Sequence, residues 1–165
     1  MKEPTTTSGH NKQVVCYWAS WSKYRVGDGS FGVADIDTTL CTNIVYTFVG
    51  LDHKTSKVKN LDSWLELSEG GGHGFFEKAA ALKKLNPNLK LSAGLGGFSE
   101  GSVKYSILAK DPARRKIFVE SCVDFLKKYD FDCLDFNWIY PGKQDYKIFR
   151  IKATICNTQM LSEWN

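Results

Sequence analysis

Phe131-Asp132-Cys133-Leu134-Asp135-Phe136-Asn137-Trp138-Ile139-Tyr140-Pro141-Gly142 is the stretch on which the reading of the fold turns. Its centre, Cys133–Tyr140, is an apolar run rich in strand-forming residues, which predicts a β-strand. Side chains on a strand alternate between two faces, so Asp135, Asn137 and Ile139 are expected to point the same way. Three carboxylates stacked on such a face could carry acid–base chemistry. Here only Asp135 is ionisable, since Asn137 is neutral and Ile139 is a hydrocarbon.

Working outward, three further apolar runs read as strands: Val14–Ser20, Asn43–Val49 and Lys90–Leu95. Between the last of these and residue 131 lies the clearest helix. Asp111 suits its N-cap and Pro112 its first turn. Phe118, Cys122, Phe125, Leu126 and Tyr129 then recur at three- and four-residue spacings, an apolar stripe. A second helix is predicted from about Gly74 to Leu85, stopped by Asn86-Pro87-Asn88. Strands alternating with helices imply βα units and a parallel sheet, an α/β fold with function at the C-terminal ends of its strands.

Those ends are Ala19–Trp21, Phe48–Gly50, Gly96–Phe98 and Asn137–Tyr140, and each carries an aromatic residue. Rings beside small residues suit the flat face of a sugar, and they suit an ordinary aromatic core equally well. Trp21 and Trp138 lean toward binding, because an indole N–H needs a partner when buried.

The rest of the sequence mainly excludes. With 165 residues, 42% apolar and 13% aromatic, the chain can build one core. No apolar run approaches the ~20 residues of a membrane span. The net charge of +4 is mild, and Arg114-Arg115-Lys116 reads as a solvated helix face. No basic stripe interleaved with aromatics suggests nucleic acid. His10, His53 and His73 are scattered, no CxxC or HxxxH spacing occurs, and neither a metal nor a cofactor is expected. Gly94-Leu95-Gly96-Gly97-Phe98 fails as a dinucleotide loop, because Ser99 stands where the third glycine belongs. Residues 1–12 read as a disordered Thr/Ser-rich tail with no apolar core of a signal peptide.

Four segments together resemble the family 18 glycoside hydrolases, the chitinases and chitinase-like lectins, and within them the arthropod members. They are Val14-Val15-Cys16-Tyr17-Trp18 with Trp21, Cys41-Thr42-Asn43-Ile44-Val45-Tyr46-Thr47-Phe48, Leu91-Ser92-Ala93-Gly94-Leu95-Gly96-Gly97-Phe98, and residues 131–142. The last is similar to the family's catalytic strand, D-G-x-D-x-D-W-E-Y-P. The likeness covers residues 13–142; residues 143–165 match no family segment, and apolar Ile148, Phe149, Ile151 and Ile155 suggest a short helix over Tyr146–Cys156.

The resemblance implies the first half, about four strands, of a (β/α)₈ barrel, a fold that usually needs ~250 residues. It also implies a substrate, chitin or N-acetylglucosamine oligomers, bound by Tyr17, Trp21, Phe48, Phe98, Asp135, Trp138 and Tyr140. It implies a disulfide between Cys16 and Cys41, hence an oxidising compartment and secretion. Within the degenerate motif Asp132, Asp135, Asn137, Ile139, the family's acid falls on Ile139 and its third aspartate on Asn137. The family route is substrate-assisted: the acid protonates the leaving oxygen and the substrate's acetamido group attacks. General acid catalysis is typically worth ~10²–10⁴-fold, and isoleucine donates no proton. The expectation is therefore an inactive, chitin-binding relative. Two alternatives stand beside it: a hydrolase using Asp132 or Asp135 as another acid, and a non-functional or structural half domain. An incomplete barrel also leaves open sheet edges through which copies could associate.

Overall fold

The computed structural model describes residues 12–143 and 145 in full and residues 154–155 as backbone. Four parallel strands, β1 (Val15–Ala19), β2 (Asn43–Asp52), β4 (Lys90–Gly96) and β5 (Cys133–Asn137), lie side by side in that order. The ladders pair Tyr17 with Val45, Val45 with Ser92, and Ser92 with Cys133. The sheet is parallel and α/β, as the alternation of apolar runs predicts, and it is part of a barrel, as the family resemblance implies. A short β3 (Lys57–Lys59) folds back antiparallel on the end of β2. β6 (Thr154–Ile155) lies antiparallel on β5.

Helices cover one face of the sheet. They are α1 (Ser63–Glu66), α2 (Phe75–Leu85), α3 (Val103–Lys110) and α4 (Pro112–Lys128). Asp111 caps α4 as its sequence position requires, accepting from the amides of Ala113 and Arg114. The stripe of α4 buries Phe118, Cys122, Phe125 and Leu126. Cys122 is a buried thiol, and the apolar surroundings push its pKa up.

Every second residue of each strand feeds the core between sheet and helices: Ile44 and Tyr46, Leu91, Ala93 and Leu95, then Leu134 and Phe136. Phe76 of α2 anchors this layer. It is wholly buried and meets the rings of Tyr46, Phe125, Tyr129 and Phe131 at centroid distances of 5.1, 5.3, 4.7 and 5.8 Å. Burying a side chain of this size stabilises by about 1.5–3 kcal/mol before its edge-to-face contacts are added.

Two expectations change. β5 ends at Asn137 rather than Tyr140, so Ile139 stands beyond the strand. Trp138 keeps the core-facing alternation of Leu134 and Phe136, and its indole N–H donates to the Ser102 hydroxyl at 2.6 Å. That hydroxyl donates in turn to the Tyr140 carbonyl at 2.6 Å, pulling the chain out of line. The helix expected over Tyr146–Cys156 falls mostly outside the described residues. Where the backbone is described, Thr154–Ile155 forms a strand. The expected tail falls outside too, apart from Lys12.

Candidate functional site

The face of the sheet turned away from the helices carries the other half of each alternation. It presents Tyr17 from β1, Thr47 from β2, Gly94 from β4 and Asp135 from β5. The Tyr17 hydroxyl donates to the Asp135 carboxylate at 3.0 Å, although two strands lie between their own. Strands spaced ~4.8 Å apart would hold β1 and β5 about 14 Å apart in a flat sheet, beyond the reach of these side chains. The contact therefore requires the sheet to curl, as a barrel wall does. Desolvation, with help from the Asp135 charge, raises the Tyr17 pKa.

At the C-terminal ends of β1, β2 and β4 lies a cavity of about 660 Å³. Trp21, Phe48 and Phe98 line it, and the Trp21 and Phe48 rings stack at 6.0 Å with 18° between their planes. Trp21 is half exposed and Phe98 projects into solvent. Glycine is needed for this closeness. At Gly97, with φ +85°, a Cβ would stand 2.7 Å from the Phe48 ring; at Gly96, with φ +111°, it would stand 2.3 Å from the Asn137 carbonyl. Gly96 and Gly97 thus stand where a ring and a backbone carbonyl approach the chain.

Three carboxylates that the sequence reading did not single out also line this cavity: Asp62, Glu66 and Glu100. Glu66 is buried and accepts from the amides of Leu61 and Asp62 and from the Tyr46 hydroxyl. Burial outweighs those bonds and pushes its pKa up to about 7. Asp62 caps α1 through the Leu65 amide and receives the Tyr24 hydroxyl at 2.6 Å, which pushes the Tyr24 pKa up to about 12. Glu100 accepts from the Leu51 amide and the Tyr105 hydroxyl and pairs with Lys104. The only sequence signal was Asp62, an N-cap type three residues before Leu65.

The residues expected to bind substrate divide into three groups. Trp21, Phe48 and Phe98 come together at the cavity, and Tyr17 and Asp135 meet on the curved face. Tyr140 is exposed at the end of the loop after β5. Trp138 is elsewhere: it is a core residue against Tyr105 and Phe136, so its N–H has the partner it needs but its ring is covered. Asp132 also stands apart. It sits before β5, accepts from the Leu91 amide and pairs with Lys83 and Lys90. Asn137 and Ile139 are half-buried at the open end of β5. Cys16 and Cys41 form a disulfide joining β1 to the approach of β2. Among the described residues no cluster of His, Cys, Asp or Glu is arranged to hold a metal.

A curved parallel sheet with aromatics gathered at its strand ends is part of a barrel wall. The chain belongs to the glycosyl hydrolases family 18, whose profile matches residues 13–158. It is 42% identical over 138 residues to probable chitinase 2 of Drosophila melanogaster, covering 84% of this chain and 28% of that protein. Among solved structures it is similar to the Group IV chitinase of Ostrinia furnacalis in complex with allosamidin, at 40% identity and a TM-score of 0.78. That match covers 84% of this chain and 38% of the other. It is also similar to human YKL-39, described as a pseudo-chitinase with retained chitooligosaccharide binding. There the identity is 30%, the TM-score 0.72, and the coverage 83% of this chain and 35% of the other. The chain thus spans well under half the length of each of these relatives.

Proposed function

We propose that this chain is a non-hydrolytic member of its family that binds N-acetylglucosamine oligomers. One observation carries the reading: neutral Asn137 and Ile139 stand at the open end of β5, while the aromatic cavity of Trp21, Phe48 and Phe98 is intact. Sugar rings would stack on that wall, with Asp135, Asn137 and the Tyr17 hydroxyl offering hydrogen bonds. Asn137 can hold an acetamido group by hydrogen bonding, but it brings no charge to a developing oxazolinium cation. The retained oligosaccharide binding of YKL-39 shows that a relative can part the two properties. The Cys16–Cys41 disulfide favours an oxidising, extracellular setting. Titration calorimetry with chitohexaose tests the binding: heat is expected, and its absence at millimolar ligand removes the reading.

A second reading, hydrolysis by another acid, gains one observation. Glu66 borders the aromatic cavity with a pKa near 7, the range of a working general acid. Against it, both Glu66 oxygens already accept internal hydrogen bonds, and Asp132 is committed to Lys83 and Lys90. Turnover of a fluorogenic chitobioside that disappears in Glu66→Gln or Asp135→Ala would establish this reading in place of the first.

A further inference from the structure

We propose that the aromatic cavity takes up a proton when an uncharged sugar oligomer fills it, and that Glu66 is the group that receives it. The inference rests on the binding reading above and adds a regulation to the same site. Among the described residues, three carboxylates line the cavity, Asp62, Glu66 and Glu100, and no Lys, Arg or His does. They differ in the help they receive. Glu100 pairs with Lys104 and accepts from the Leu51 amide and the Tyr105 hydroxyl. Asp62 is only half-buried, and it accepts from the Leu65 amide and the Tyr24 hydroxyl. Glu66 is 1% exposed, and among the described residues no cation pairs with it. Its neighbours are neutral donors and one like charge: the Leu61 and Asp62 amides, the Tyr46 hydroxyl of β2, and the Asp62 carboxylate. The turn after β1 brings Ser20 and Trp21 to the lining, and α2, packed against α1, buries only Phe75, Phe76, Ala79 and Leu82.

Burial without a counter-charge disfavours the ionised carboxyl, and it already holds Glu66 near neutrality, at about 7. An oligomer stacked on Trp21 and Phe48 displaces the water of the cavity and deepens that desolvation. Sugar hydroxyls offer Glu66 little in return, because each of its oxygens already accepts an internal hydrogen bond. The pKa of the filled cavity therefore lies above that of the empty one, and binding and protonation favour each other by the same factor. Below about pH 7 Glu66 is protonated in both states, and the affinity is level. Above that, binding must draw a proton from solution. The affinity then falls by up to about tenfold per pH unit, until the filled cavity also loses the proton.

Titration calorimetry of the full chain with chitohexaose, in two buffers of different ionisation enthalpy, counts the protons taken up. At about pH 7.5 an uptake of about half a proton per chain is expected, with affinity weakening on the order of three- to tenfold from about pH 6 to about pH 8.5. In Glu66→Gln, which carries no charge at any pH, both the uptake and the pH dependence should vanish. Equal heats in the two buffers with a level pH profile overturn the proton linkage and leave the binding reading standing. Uptake that persists in Glu66→Gln gives the proton to another group and overturns the assignment. Where the variant fails to fold, the carboxyl carbon resonance of Glu66 in the wild-type chain decides instead. Its titration midpoint should rise with chitohexaose bound, and an unmoved midpoint overturns the assignment. No binding heat at any pH removes the binding reading, and the linkage with it.

Discussion

The two faces of one sheet differ in what they ask of the sequence. Toward the helices, Tyr46, Leu91, Leu95 and Phe136 interlock with Phe76 and Phe118, and each is at most 8% exposed. Toward the barrel interior stand Tyr17, Thr47, Gly94 and Asp135, where small size and hydrogen bonds matter more than volume. The first face decides whether the chain folds, and the second what it can hold. Asn137 and Ile139 belong to the second and to the loop beyond it. Changes there leave the core untouched.

The sharpest way to break this contrast is on the helix side. Phe76→Ala should cost about 3–5 kcal/mol, read as a lowered urea midpoint, because four neighbouring rings lose their partner. A loss below about 1 kcal/mol would mean that this layer is not the core.

Glu66 sets the next largest effect, and it depends on pH. Its folded pKa of about 7 lies above the ordinary carboxyl value of 4.5, so the native state binds the proton more tightly than the unfolded chain does. Its contribution is fully present below about pH 4.5 and is lost as pH rises through about 7, a change on the order of 3 kcal/mol. Glu66→Gln should flatten that part of the stability curve. An equally steep curve in the variant would assign the slope to another group.

Gly96→Ala should destabilise by about 2 kcal/mol, since its φ and the Asn137 carbonyl both oppose a side chain. The smallest effect is expected on the interior face. Asn137→Asp with Ile139→Glu should move stability by no more than about 1 kcal/mol, and should yield no turnover of the fluorogenic chitobioside in this 165-residue chain. Recovered hydrolysis would show that these four strands carry more of the chemistry than the proposal allows.

Most of the sheet was legible because its strands are apolar runs of five or more residues. β3 was not, since Lys57-Val58-Lys59 offers one apolar residue between two charges. α1 is a single turn, and α3 carries no sharp apolar stripe. The overlong reading of β5 has a similar origin: Trp138, Ile139 and Tyr140 are all good strand formers, and the hydroxyl of Ser102, a distant residue in sequence, takes the Tyr140 carbonyl out of any ladder. In the site, Trp21, Phe48 and Phe98 were readable as strand-end aromatics. Asp62, Glu66 and Glu100 were not, because a one-turn helix and a short turn far apart in sequence bring them to one cavity.

The hydrogen bond from Tyr17 to Asp135 joins residues 118 positions apart. Contacts that close so long a loop are costly before they are rewarding, and chains rich in them fold slowly. This one cannot form until β1, β2, β4 and β5 are all in place and curved. It therefore belongs late in the folding sequence, and its formation marks the moment when a ribbon of strands has become an arc.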